Sequence, residues 1–249
     1  MKIVIAYLYY DLLNLYGESG NIKMIKEQLK KQEIDFDIKM LSTQDKLEFN
    51  KYDLIIMSAG TENNQKIVLK HLIRYRKDIK KAIKNNKFFL ITGNAIDLFG
   101  RFIVDLNNQK HKTLNIFDYI VKENNKRIVN DSLFLNKESN EYIIGFQNQS
   151  RTLKNNKYPM FEVIKGLGSS ETSSEEGIHY KNFYGTYLIG PLLVRNPKFT
   201  LEFLKKLIKS INPKFEFKEF DFNFENEAYD SYFNLHYNKI PKIKSTINL

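Results

Sequence analysis

Through the first hundred or so residues, apolar runs of strand length alternate with stretches whose apolar residues recur every three or four positions. Lys2 to Tyr9 is apolar and β-branched, and Glu18 to Lys31 carries Ile22, Ile25 and Leu29 at helical spacing, which predicts a strand followed by a helix. Asp35 to Leu41 alternates as a second strand, and Asp53 to Ser58 is a short run of the fully buried type ending in Ala59-Gly60. Asn63 to Lys84 reads as a helix with Ile67, Leu69, Leu72 and Ile73 facing inward, and Phe88 to Thr92 as another buried strand. This alternation predicts an α/β fold: a mostly parallel, flavodoxin-like sheet with helices on both faces.

The second half has a different texture. Tyr142 to Phe146, Met160 to Lys165 and Tyr184 to Leu188 are short strand candidates, and Gly168 to Gly177, rich in Ser, Glu and Gly, predicts a mobile loop. Asn196-Pro197 opens a helix to about Ser210, with proline suited to its first turn. Phe215 to Phe224 alternates aromatic and charged residues, as expected of an extended segment laying one aromatic face on the body rather than of an exposed partner-binding stripe. Glu225 to Tyr237 predicts a closing helix. No repeat or Pro-rich linker divides the chain, so one domain is expected over residues 1–249, with 214–249 a C-terminal extension packed on the body.

Composition narrows the function. The 39 Lys+Arg against 29 Asp+Glu give a formal charge of +10, which raises nucleic acid as a partner. Against it, arginine is confined to Arg74, Arg76, Arg101, Arg127, Arg151 and Arg195, and the lysines are dispersed without aromatic interleaving. The densest basic stretch, His71 to Lys87, reads as the solvated face of an amphipathic helix, so no nucleic-acid partner is expected. The apolar run Ile3 to Tyr10 is too short to span a bilayer and lacks a signal-peptide flank, which predicts a cytoplasmic protein without a membrane span. There is no cysteine, which excludes disulfides, zinc-thiolate sites, iron–sulfur clusters and a cysteine nucleophile. No metal or cofactor is expected.

In an open parallel sheet, sites form beyond the carboxyl ends of the strands. Ser58-Ala59-Gly60-Thr61, Thr92-Gly93-Asn94-Ala95 and Gly185 to Pro191 occupy such places. Strand, tight glycine turn and helix together resemble a nucleophile elbow, but the apex residue is Gly93, which has no side chain to project.

Three long stretches carry a family resemblance: Tyr9-Tyr10-Asp11-Leu12-Leu13-Asn14-Leu15-Tyr16-Gly17-Glu18-Ser19-Gly20-Asn21, Gly145 to Thr152, and Glu176 to Leu193. In this order they resemble the cobyric-acid-synthase-like class I glutamine amidotransferases, in particular the glutaminase subunit of lipid II isoglutaminyl synthase. The resemblance implies a class I amidotransferase fold. In the family, a Cys–His pair releases ammonia from glutamine, and a Mur-ligase-like partner uses it to amidate the D-glutamate of the peptidoglycan stem. The oxyanion donors would come from the glycine turn at Ser58 to Thr61 and from the backbone after the nucleophile. Aligned on these motifs, the family's nucleophilic cysteine falls on Gly93 and its catalytic histidine on Ile189. Neither side chain can attack a carbonyl or move a proton, so the acyl-thioester route is closed.

Other nucleophiles and bases are scarce. Thr92 needs a positioned base; His179 reads as an exposed or loop-packing histidine; His71, His111 and His236 fall on no motif; Asp97 reads either as a pocket carboxylate or as a helix-dipole partner. Arg127, on a predicted strand Arg127 to Val129, falls near the family's carboxylate-binding arginine, and a surface salt bridge is an equally good reading. Gly60, Asn94, Arg127 and Gln149 are the candidate substrate-binding residues, for glutamine or a related small molecule. The expected protein is therefore an amidotransferase-like binding or regulatory subunit without glutaminase activity, beside a Mur-ligase-type partner. The alternative is an active subunit that uses a non-cysteine nucleophile or guides free ammonia.

Overall fold

The computed structural model describes residues 1–170, 172–241 and 243. The first half forms β1 (Lys2–Leu8), α1 (Ser19–Lys31), β2 (Asp35–Leu41), β3 (Leu54–Met57), α2 (Glu62–Leu72), α3 (Arg76–Lys84) and β4 (Phe88–Thr92). The second forms β5 (Phe102–Val104), β6 (Lys110–Lys112), β7 (Ile120–Asn136), β8 (Glu141–Lys154), β9 (Phe161–Lys165), β10 (Glu175–Glu176), β11 (Ile178–Tyr180), β12 (Phe183–Thr186), α4 (Leu192–Arg195), α5 (Pro197–Ile211) and α6 (Asn223–His236).

The first sheet has six strands in the order β11-β12-β4-β3-β1-β2, with every pair parallel except β11–β12. Period-two alternation assigns its core residues to two faces. Ile3, Ile5, Leu54, Ile56 and Leu90 meet Ile25 and Leu29 of α1 and Phe203 and Leu207 of α5. Ala6, Leu8, Ile55, Met57, Phe89 and Ile91 meet Val68 and Leu72 of α2 and Ile79 and Ile83 of α3. Helices thus cover both faces, which is why β3 and β4 are buried throughout and apolar but for Thr92 at the end of β4.

The helix expected over 63–84 is broken by a 3₁₀ turn at Ile73–Tyr75. Because the inward face of α2 runs through Gln65, Val68 and Leu72, the expectation for Ile67 and Ile73 is corrected: they are 48% and 42% exposed. Leu69 is partly buried and Leu72 fully so.

The second sheet was not foreseen. It runs β10-β9-β7-β5-β6, with β8 paired to β7, and only β5–β7 is parallel. Its backbone is the β7–β8 hairpin of 17- and 14-residue strands. The segment expected to be a mobile loop contains β10, paired to β9 through Glu175↔Glu162 and Glu176↔Phe161.

Beyond α5, Phe215, Phe217 and Phe220 lie against the core beneath α1 and α5, and Phe222 is buried in it. No strand ladder holds this segment. Instead the Gln32 side chain acts as a surrogate strand: its Nε2 donates to Lys218 O (3.0 Å) and its Oε1 accepts from Lys218 N (2.9 Å). Phe224 departs from the expected aromatic face, sitting in α6 at 84% exposure. Phe233 and Tyr237, from α6 and its C-terminal end, pack on Leu133 and Ile144 of the second sheet. Among the described residues, no helix is long and apolar enough to cross a membrane.

Candidate functional site

The loops that follow β1, β3, β4 and β12 emerge at the carboxyl edge of the parallel sheet and converge on Gly93. Gly93 has φ +60°, the left-handed conformation that L side chains rarely adopt. A Cβ placed there would lie 2.6 Å from the Ala59 Cβ and 2.9 Å from the Ile189 Cγ2. Positions 93 and 189, far apart in sequence, are therefore neighbours, and the volume a nucleophile's side chain would need is filled by an isoleucine and an alanine. Ile189 is 2% exposed and is pinned by an antiparallel bridge, its N–H donating to Phe146 O at 3.0 Å. The elbow geometry is present and its two reactive positions form an apolar contact.

The next residue closes the neighbouring turn. The Gly60 N–H donates to Asn94 Oδ1 (3.0 Å), and Asn94 Nδ2 donates to Gly60 O (2.7 Å). A backbone N–H in the glycine turn that the resemblance marks as an oxyanion-hole donor is thus engaged within the protein. Gln65 braces the clamp, its Nε2 donating to Asn94 O. Only glycine fits at position 60, because a Cβ would approach Leu13 Cδ2 to 2.4 Å and Leu12 O to 2.8 Å.

In front of this turn is a cleft of about 340 Å³, lined by Leu15, Tyr16, Ala59, Gly60, Thr61, Glu62, Asn94, Arg127 and Asn148. Arg127 reaches it because the β7–β8 register shifts between Glu123 and Ile128, an irregularity that re-aims side chains. Its Nη2 pairs with Glu62 Oε1 at 3.0 Å and its Nη1 donates to Asn148 Oδ1 at 3.0 Å. Both sequence readings of Arg127 meet here: it lines the cleft, and it is in an ion pair. Burial works to raise the Glu62 pKa, but the backbone N–H and the Arg127 guanidinium outweigh it, and the carboxyl is held below its ordinary value.

Of the four candidate binding residues, Gly60, Asn94 and Arg127 share this cleft. Gln149 does not line it. Only 2% exposed, it borders a water-sized cavity of about 10 Å³ beside Arg151 and Asp97, with its Nε2 donating to Arg151 O at 3.0 Å.

Asp97 is fully buried: it accepts from Tyr187 OH (2.6 Å) and pairs with Arg151 Nη1 (3.2 Å). Burial pushes its pKa up to about 6 against the opposing pull of Arg151. It ties the segment after Gly93 to β8 and to the loop after β12, and does not line the cleft. The histidines also lie elsewhere. His179 sits in β11 stacked on Tyr184 at 4.4 Å, His71 is bonded to Tyr9 OH at 2.8 Å, and His111 pairs with Asp105 at 2.7 Å.

Sequence reasoning missed Glu18, although it lies within the first family-like motif. Fully buried, it accepts from Thr92 Oγ1 (2.5 Å), Gly190 N (2.6 Å) and Asn21 Nδ2 (3.1 Å). It thereby joins the residue before Gly93 to the residue after Ile189. Burial pushes its pKa up to about 7, opposed by these hydrogen bonds and by Arg195. Thr92 does have a carboxylate beside it, but both residues are fully buried and neither lines the cleft. A Thr92–Glu18 nucleophile–base pair would have no substrate to meet. Among the described residues, no group of three or more His, Cys, Asp or Glu is placed to hold a metal ion.

A parallel sheet whose carboxyl-edge loops meet at a left-handed elbow after the fourth strand is the scaffold of a class I glutamine amidotransferase. Residues 4–197 match the CobB/CobQ-like glutamine amidotransferase domain, and the chain belongs to that family. It is 30% identical over 211 residues to the GatD subunit of the glutamine-hydrolyzing lipid II isoglutaminyl synthase of Streptococcus pneumoniae, covering 84% of this chain and 81% of that protein. It is 26% identical over 227 residues to the GatD subunit of Staphylococcus aureus, covering 91% and 93%. A crystal structure of a glutamine amidotransferase from Thermotoga maritima shares the fold with a TM-score of 0.50 at 15% identity, over 94% of this chain and 92% of that one. A second glutamine amidotransferase structure gives 0.51 at 13% identity, over 81% and 98%.

Proposed function

We propose that this chain is a non-hydrolytic member of its family: a binding or regulatory subunit that acts beside a Mur-ligase-type partner in amidation of a peptidoglycan precursor. The observation that carries this reading is the contact between Gly93 and Ile189, where an acyl-transfer site would need a nucleophile and its base. The Asn94 clamp on Gly60 supports it, since the Gly60 N–H is already engaged and one of the two donors a developing oxyanion would need is taken. In this reading the cleft lined by Gly60, Asn94 and Arg127 takes glutamine or a related small molecule without cleaving it, with Gln149 supporting the wall behind. The likeness to the two GatD subunits supports the choice of partner and pathway.

The test is reconstitution with the Mur-ligase-type partner and a lipid-linked peptidoglycan precursor. The reading expects a stable complex whose amidation draws on added ammonium and not on glutamine. Glutamine-dependent amidation would overturn the loss of hydrolysis, and the absence of any complex would overturn the subunit role.

A further inference from the structure

The cleft holds a carboxylate of its own. Among the described residues that line it, Arg127 is the one Lys or Arg, and both ends of its guanidinium are occupied, Nη2 by Glu62 Oε1 and Nη1 by Asn148 Oδ1, each at 3.0 Å. Ser150 Oγ, 3.5 Å from the same Glu62 oxygen, completes the setting. The backbone of Glu62 is fixed as the first residue of α2, whose N-cap Thr61 accepts from Asn64 N at 3.1 Å, and its carboxylate is held on the cleft wall by Arg127 and Ser150. The pair is neutral overall, so a free carboxylate entering the cleft meets no unpaired cation. It would have to displace Glu62 from Arg127 and then sit beside it, and like charges at such separations repel.

We infer that Glu62 sets the ligand specificity of this cleft, selecting a carboxamide ligand whose own α-carboxyl is blocked in an amide linkage over a free amino acid. The inference rests on the reading of the cleft as a small-molecule site and concerns which molecule enters it. A blocked carboxyl leaves the Glu62–Arg127 pair intact, and Glu62 then faces the ligand's ammonium or amide N–H groups as an acceptor. Glu62 would thus separate this cleft from one that uses its arginine to grip the carboxylate of glutamine.

The test compares binding of L-glutamine and L-glutamine α-amide to the full-length chain by isothermal titration calorimetry, for wild type and Glu62→Gln. The proposal expects wild type to favour the α-amide by about tenfold, the size of one charge-assisted hydrogen bond lost or gained. Glu62→Gln should abolish or invert that preference by tightening glutamine binding, and adding Arg127→Ala to Glu62→Gln should remove the gain. Glu62 is at the surface, so the variant is expected to fold, and its far-ultraviolet circular dichroism checks that it does. Glutamine binding as tight as the α-amide in wild type, or a ratio unchanged by Glu62→Gln, would overturn the specificity role while leaving the cleft a binding site. Failure of both ligands to bind either protein would overturn the small-molecule reading of the cleft and this inference with it.

Discussion

Substituting Gly93 by alanine isolates the feature on which the site depends. The substitution adds one Cβ and no chemistry, and that atom would lie 2.6 Å from the Ala59 Cβ and 2.9 Å from the Ile189 Cγ2. Two costs follow. Holding an L-residue at φ +60° costs about 1–2 kcal/mol. Forcing a methyl into filled core space adds about 1–3 kcal/mol, since the closest neighbours are a backbone-borne Cβ and a pinned isoleucine rather than a flexible side-chain end. A total near 3 kcal/mol corresponds, for a chain of this size, to a Tm lower by roughly 6–12 °C. The companion Ala59→Gly removes the nearer clash, so the double variant should recover part of the steric cost, visible as a favourable coupling of about 1 kcal/mol in a double-mutant cycle. The assay is urea unfolding followed by circular dichroism. A Gly93→Ala protein within about 0.5 kcal/mol of wild type would refute the reasoning, because neither the left-handed backbone nor the filled volume could then exist as described.

Three further outcomes follow. Gly93→Cys with Ile189→His should release no glutamate above background while Asn94 still engages the Gly60 N–H, and adding Asn94→Gly should raise release at least tenfold over that double variant, consistent with the worth of an oxyanion donor; equal rates would contradict the clamp. Burial pushes Glu176 up to about 7, against hydrogen bonds from Tyr187 N and Thr186 Oγ1, so the folded state holds its proton more tightly than the unfolded state. Its contribution to stability is full below the unfolded value near 4.5 and is lost as pH rises through about 7, worth about 3 kcal/mol in all. Glu176→Gln should therefore gain stability relative to wild type between pH 5 and pH 8 in urea titrations, and parallel profiles would contradict it. Finally, Gln32→Ala removes both bonds to Lys218 and should lower stability by about 1–3 kcal/mol and speed hydrogen exchange across residues 215–222, whereas unchanged exchange there would mean that aromatic packing alone holds the segment.

How much of this could be read from the residues depended on how local each cause is. The strands Asp35–Leu41 and Phe88–Thr92 were legible to the residue, because the edge strand alternates and the central one, covered on both faces, is an apolar run closed by Thr92. The helix opened by Pro197 was legible from its start signal and stripe. The hairpin was not: β7 reads Lys-Glu-Asn-Asn-Lys-Arg over its first half, and much of that half lies half-buried or exposed, so no sustained apolar period announces a strand. The break at Ile73–Tyr75 carries no proline or glycine, and its absence from the expectation misassigned Ile67 and Ile73.

At the site, the two departures at Gly93 and Ile189 were visible from motif alignment, but their contact was not, since it depends on β12 pairing with β4, a neighbour some ninety residues earlier in the chain. The Asn94–Gly60 clamp joins residues 34 apart, and Glu18 joins residues 74 and 172 apart in sequence. Such polar closures have no periodic signature and emerge only once topology brings the loops together.

The measurement that bears most directly on the account is glutamate release from L-glutamine by the purified chain, alone and with a Mur-ligase-type partner, beside the Staphylococcus aureus GatD subunit as a hydrolysing reference. No release above the no-protein background is expected under either condition. Sustained release, with glutamate formed in excess over protein and abolished by a substitution within this chain, would contradict it.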